Sequence, residues 1–296
     1  MIAKRYDDEL MYSVQKCDDD SSNKYKYCTR DGKLAFKKPG KDFLGVTKQN
    51  YKNVYVIKGE IYIGEFLKWN CITRIVWIIS SLNNSKRISG GGQALIVTDP
   101  PFNVGYHYNT YKDKMSEQEY LYFLNQVFKT NNTPYVVIHY PESLYKIALY
   151  NGDVPTRVCS WVYNSNTAKQ HRDIAFFGVE PNFKQVLQPY KNPNDKRIKK
   201  RIEEGKLGCK LYDWWNVNQV KNVSKVKTKH PCQMPLEVMK NVVGVLPKES
   251  IVIDPFMGSG TTGVACKELG YEFIGCEIDN EYFDIAKERL EEIKLF

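Results

Sequence analysis

Apolar residues fall in short runs along this chain, and their spacing assigns the elements. Runs of about four to eight apolar or alternating residues, bounded by turn formers, predict buried strands. They occur at "NVYVIKGEIYIG" (53–64), "ALIVTDPPF" (94–102), "YVVIHY" (135–140), "RVCSWVY" (157–163) and "DIAFFGV" (173–179). The turn Gly90-Gly91-Gly92 stands before the second of these. "SEQEYLYFLNQVF" (116–128) predicts a helix, because Ser116 and Glu119 have the spacing of a capping box, which satisfies two orphan N–H groups reciprocally. The last third alternates: helix "PLEVMKNVVGVL" (235–246), strand "SIVIDPF" (250–256), helix "TTGVACKEL" (261–269) ended by Gly270, strand "EFIGCEID" (272–279), helix "NEYFDIAKERLEEI" (280–293). Phe283, Ala286, Leu290 and Ile293 recur at helical spacing, so the final helix lays one apolar stripe on a sheet. Such alternation predicts an α/β fold with a mostly parallel sheet.

Composition narrows the class. With 296 residues, 42% of them hydrophobic and 13% aromatic, the chain can bury a full core, which argues against a disordered or fibrous class. Residues 1–55 are polar and weakly periodic, and are set apart as an N-terminal extension of unknown role; 56–296 then form the main domain. The eight cysteines show no CxxC pair and no histidines at finger spacing, so neither a metal site nor a disulfide framework is expected. No apolar leader opens the chain, and the most hydrophobic run, "CITRIVWIISSL" (71–82), is short and carries Arg74. Neither a signal peptide nor a membrane partner is expected, and the location expected is cytoplasmic.

Charge adds a partner. The net charge of +9 favours an anion. The excess is local: residues 184–229 hold 13 Lys or Arg against Asp195, Glu203, Glu204 and Asp213, an imbalance as large as that of the whole chain. Within it "NDKRIKKRIEEGK" (194–206), with Arg197, Lys199, Lys200 and Arg201, reads equally well as a solvated helix face or as a nucleic-acid contact. Tyr190, Trp214 and Trp215 nearby turn the balance toward a polyanion with stackable bases.

Two stretches carry chemistry. In "DPFMGSGTTGVACKELGYEFIGCEID" a strand enters Gly258-Ser259-Gly260 and then a helix, an arrangement that lets backbone and helix N–H groups approach a ligand. Glu277 follows Gly260 by 17 residues at the end of the next strand, close to the spacing of about 20 at which an acid reaches ribose hydroxyls. A nucleoside ligand is the leading expectation, with a glycine turn made for packing alone as the alternative. The missing GK[ST] lysine sets an NTPase loop aside. In "DPPF" (99–102), Pro100 and Pro101 neither continue a helix nor donate to a sheet, so Asp99 is held at the carboxyl end of a strand, where open α/β sheets bind their ligands.

Together these motifs resemble the amino-group DNA methyltransferases, the N6-adenine/N4-cytosine family. "DPPF" is similar to the family's catalytic [DNS]PP[YFW] motif, "DPFMGSGTT" to its S-adenosylmethionine motif and "GCEID" to its acidic ribose motif. "KHPCQMP" (229–235) is similar to its HPxxKP segment, with Met234 in place of the usual lysine. The catalytic motif comes first and the cofactor motif last, the permuted beta-class order; glutamine methyltransferases with NPPY motifs run the other way. The resemblance implies a doubly wound, Rossmann-like domain of bacterial or phage type with S-adenosylmethionine as cofactor. It implies catalytic roles for Asp99, Pro100, Pro101 and Phe102, and cofactor contacts from His230, Pro231, Asp254, Pro255, Phe256, Gly258, Ser259, Gly260, Thr261, Thr262 and Glu277. It also implies double-stranded DNA as partner, with residues 184–229 as the recognition insertion; a second copy of the chain stays open as a partner. Asp before the prolines resembles the adenine-modifying members, with an N4-cytosine enzyme or an inactive DNA-binding protein as the alternatives.

Overall fold

The computed structural model describes residues 93–129, 132–221 and 223–293, with the backbone of 54–57 and 62–63. Residues 1–53, the run at 71–82 and the triple-glycine turn lie outside the described residues. Nine strands form one sheet: β1 (Val54–Ile57), β2 (Tyr62–Ile63), β3 (Ala94–Thr98), β4 (Tyr135–His139), β5 (Arg157–Val162), β6 (His171–Phe177), β9 (Trp214–Asn216), β10 (Ile251–Asp254) and β11 (Glu272–Cys276). A separate two-stranded ribbon pairs β7 (Leu187–Gln188) with β8 (Cys209–Lys210). The helices are α1 (Glu117–Phe128), α2 (Pro141–Asn151), α3 (Lys196–Glu203), α4 (Leu236–Gly244), α5 (Thr261–Leu269) and α6 (Asn280–Glu292).

The large sheet runs β2-β1-β11-β10-β3-β4-β6-β5-β9. Its centre, β11-β10-β3-β4, is parallel throughout, while β1 and β6 run antiparallel to their neighbours. The parallel strands β3, β4 and β10 are buried at every position, as strands covered on both faces must be. Side chains alternate between two cores. Leu95, Val97, Val136, Ile138 and Val252 pack with α4, α5 and α6, whereas Ala94, Ile96, Tyr135, Val137 and Ile253 pack with α1 and α2. The expected stripe on α6 is present, with Ala286 and Leu290 fully buried and Phe283 and Ile293 packed beside them. Ser116 and Glu119 form the expected capping box on α1.

From β3 the chain winds through α1 to β4 on one side; from β10 it winds through α5 to β11 on the other. The winding therefore reverses between β3 and β10, and the crevice at their carboxyl ends is where such a sheet takes its ligand. Residues 184–229 are not wholly an excursion. β9 extends the large sheet by pairing with β5, and Leu211, Trp215 and Val217 enter the core beside α4. Trp215 is thus packing, its indole donating to the Tyr212 carbonyl at 2.8 Å, while Trp214 stays 47% exposed beside Lys191.

Candidate active site

One cleft opens at the crevice between β3 and β10. Asp99, Pro100, Pro101 and Phe102 line one wall; His230, Asp254, Pro255, Phe256, Gly258, Ser259, Thr261, Thr262 and Glu277 line the other. The walls are tied at their base, where the Thr98 hydroxyl donates to Asp254 Oδ1 at 2.6 Å between residues 156 positions apart in the chain. Asp254 accepts further from the Thr262 hydroxyl at 2.5 Å and the Phe256 N–H at 3.1 Å. Both its oxygens are thereby engaged, so its work is to fasten the turn to the strand. Burial raises Asp254 to about 6 despite these donors.

The turn is shaped by two close approaches. Gly258 has φ +50°, and a Cβ there would stand 2.8 Å from His230 Nε2; at Gly260, with φ +74°, it would stand 2.8 Å from the Ala286 Cβ. Gly260 and Pro231 do not line the cleft: Gly260 lets α6 pack, and the Pro231 carbonyl accepts from the Lys227 ammonium at 3.0 Å. Glu277 is the cleft's far acid. It accepts from the N–H groups of Gly258, Ile278 and Asp279, each at 2.9 Å, which aims the carboxylate into the cleft. Burial still raises it to about 7. His230 is held neutral, its value lowered to about 4 by burial and then by Lys227, and its Nδ1 is buried without a partner.

Across the cleft, burial raises Asp99 to about 7, against the pull of Arg172. Its Oδ1 is buried and makes no hydrogen bond. The proline pair beside it is held from behind. The Tyr120 hydroxyl donates to the Pro101 carbonyl at 2.5 Å and meets His139 Nε2 at 2.9 Å, while His139 Nδ1 accepts the Tyr140 N–H at 2.8 Å. That last bond puts the imidazole proton on Nε2, so the chain of donors runs from Tyr140 through His139 and Tyr120 to Pro101. Burial keeps His139 neutral, lowered to about 3. Phe102 is in contact on two sides, with the His139 ring centroid at 4.4 Å and the Arg172 guanidinium over its ring at 4.4 Å.

The segment after the motif roofs the cleft. Buried Asp113 accepts from the N–H groups of Asn103, Val104 and Tyr106 at 2.7, 3.1 and 3.0 Å, folding 103–113 into a loop. Tyr106, Tyr108 and Tyr111 from this loop line the cleft, and Thr110 donates to Asp279, the N-cap of α6, at 2.5 Å. The loop thus spans from the Asp99 wall to the Glu277 wall.

The family model described as DNA methylase, for the N6 and N4 types, matches residues 94–288. This chain belongs to that DNA methylase family. Curated relatives include the Type II methyltransferase M.HpaI of Haemophilus parainfluenzae, 30% identical over 67% of this chain and 68% of its own length. M.BglII of Bacillus subtilis is 28% identical over 65% of this chain and 62% of its own, so the methylase spans about two thirds of these relatives. Its fold is similar to that of the cytosine-N4-specific PvuII DNA methyltransferase, at TM-score 0.50 and 14% identity over 69% of this chain and 82% of that one.

The cofactor of the family is S-adenosylmethionine. The methylase's cleft fits it: an acid fixed by three backbone donors suits ribose hydroxyls, and Gly258, which has no Cβ, lets the His230 ring close against the turn beside it. Arg172, Tyr108, Asp113 and the Tyr120–His139 pair escaped sequence reasoning. Alternating Tyr106 and Tyr108 after Gly105 is a visible signal of a lining loop; nothing in spacing marks Arg172, which reaches the site from β6, four strands from Glu277's.

Proposed function

We propose that this chain methylates the exocyclic N6 of adenine at a specific site in double-stranded DNA, on a base flipped out of the helix. The observation that carries the reading is the buried, unbonded Oδ1 of Asp99, facing a cleft whose other wall is the cofactor cradle. An exocyclic amine is a poor nucleophile because its lone pair is delocalised into the ring. Asp99 Oδ1 and the Pro100 carbonyl accept its two N–H bonds, which localises the lone pair and orients it. The rigid proline pair holds those two acceptors in one unit. S-adenosylmethionine supplies the electrophilic methyl group, and orientation of two bound reactants is worth effective molarities of about 10⁵ to 10⁸ M. Glu277 and the His230 segment hold the cofactor, and the loop at 103–113 keeps water from the shared cleft. The ionised form of Asp99 is the working one, since a carboxylate accepts from the amine more strongly than a neutral carboxyl, whose O–H also competes as a donor.

Flipping the base requires roughly a few kcal/mol, and an aromatic wall recovers part of it. Aspartate at position 99, as in the adenine-modifying members, supports N6 over N4. The exposed Arg197, Lys199, Lys200 and Arg201 of α3, with Trp214, support residues 184–229 as the DNA-contacting region. Methyl transfer from tritiated cofactor to unmodified plasmid DNA, followed by nucleoside analysis, is expected to yield N6-methyladenine. N4-methylcytosine would reject the base assignment. Asp99→Ala is expected to abolish transfer while calorimetric affinity for S-adenosylmethionine stays within about twofold; retained turnover would remove Asp99 from the mechanism.

A further inference from the structure

Arg172 takes no part in the chemistry above, yet it stands in the space that chemistry reserves for the substrate. It lies on β6 opposite Trp161, and its alternation with Ile174 and Phe176 puts it on the α4 and α5 side of the sheet. Its guanidinium sits 4.4 Å over the Phe102 ring, and Nη1 lies 3.6 Å from Asp99 Oδ2 and 3.7 Å from the Met234 sulfur. The rings of Trp161 and Tyr140 are 5.3 and 5.7 Å away. A flat group stacked on Phe102 with its N–H bonds turned to Asp99 makes the two contacts required of a flipped adenine.

Phe102 also meets the His139 and Tyr140 rings, at 4.4 and 5.0 Å, and His139 cannot be the one that yields. His139 is fully buried, leaves the opposite face of the sheet with Tyr135 and Val137, and is anchored by the Tyr120 hydroxyl and the Tyr140 N–H. Arg172 is held by ring contacts, the Met234 sulfur and the Tyr163 hydroxyl, with no close bond to a carboxylate. Its separation from Asp99 exceeds hydrogen-bond length, and its Nε is buried with no acceptor. An arginine built purely for structure has its donors met.

We infer that Arg172 is a stand-in for the target base: its guanidinium keeps Phe102 and Asp99 in place while the pocket is empty, and leaves when the base enters. The inference rests on the base-binding reading of Asp99 and Phe102. Its consequence is a competition, in which every flipped base must displace a cation–π contact and an ion pair before it stacks.

The test is Arg172→Met, which keeps length and apolar bulk but removes charge and flatness. It is assayed with unmodified plasmid DNA and saturating S-adenosylmethionine at about pH 9, above the value of about 7 to which burial raises Asp99 beside Arg172. KM for plasmid DNA is expected to fall about 3- to 30-fold, the range of a partly desolvated cation–π contact, with calorimetric cofactor affinity unchanged. An unchanged KM would overturn the inference, and so would a raised one, which would make the guanidinium a platform for the base or a DNA contact. Arg172→Lys keeps the charge and drops the flat face; it is expected to lower KM in the same direction and serves where the methionine variant does not fold. Asp99→Ala run in parallel separates the two readings: if it retains turnover, the base site itself is wrong, whereas a dead Asp99→Ala with a raised KM in Arg172→Met defeats the stand-in alone.

Discussion

Three of the cleft's carboxyls, Asp99, Asp254 and Glu277, differ in what they accept, and that difference bears on their work. Asp254 accepts from two hydroxyls and one N–H, Glu277 from three backbone N–H groups, and Asp99 Oδ1 from no donor. Under the proposed function the unbonded oxygen is left for the reacting amine, and the two bonded acids hold the turn and the cofactor. Tyr120 adds a control from behind, because its hydroxyl fixes the Pro101 carbonyl without touching the cleft's ligands. Tyr120→Phe removes the hydroxyl's bonds to the Pro101 carbonyl and to His139 Nε2, and is expected to lower kcat roughly fivefold to tenfold, about 1 to 1.4 kcal/mol of lost positioning, with cofactor affinity unmoved. Single-turnover methyl transfer beside calorimetry checks it; an equal loss in cofactor binding would mean the wall had collapsed. Glu277→Ala should do the reverse, weakening cofactor affinity at least tenfold in the same calorimetric titration. Unaltered affinity would end its assignment to the ribose.

The elements that carry the motifs were readable because their signals are local. The capping box of α1, the stripe of α6 and the strand runs ending at Asp99 and Asp254 follow from the period of apolar residues and from backbone chemistry within one turn. What escaped depends on partners far along the chain. Arg172 gains meaning only because β6 returns antiparallel beside β4, and Trp215 became core because β9 joined the sheet edge at β5. The sequence counts Trp214 and Trp215 together with Tyr190 as rings for stacking bases; the pleat sends the two tryptophans to opposite faces, one to solvent and one to the core. The helix α3 admits both a solvated and a DNA-contacting role, and charge decides between them. It buries no residue, and its Arg197 pairs with Asp195 at 3.3 Å. Reversing Arg197, Lys199 and Lys200 to glutamate is expected to weaken DNA binding and to flatten its log–log salt dependence by about 0.9 for each phosphate no longer neutralised. An identical slope in variant and wild type would leave α3 a solvated face.

At the scale of the molecule, the crevice that makes the site also stores unfavourable charge. Burial raises Asp99, Asp254 and Glu277 to about 7, 6 and 7, while the same groups in an unfolded chain release their protons near 4. Between about pH 4 and pH 7 the folded state therefore binds more protons than the unfolded one. Stability from these groups is full below that window and lost as pH rises through it. Under the proposed function activity takes the opposite course, since the carboxylate is the stronger acceptor for the amine. The acid limb of kcat/KM, which reports the free enzyme, is expected near pH 7, with turnover rising above it. Asp99→Asn separates the two effects: near pH 3.5, below the window, its urea unfolding free energy should match the wild type's, and near pH 8 the variant should be the more stable and inactive at both. A stability difference independent of pH across that range would mean that Asp99 titrates as an ordinary surface carboxyl, and the tie between burial of this acid and its catalytic use would be broken.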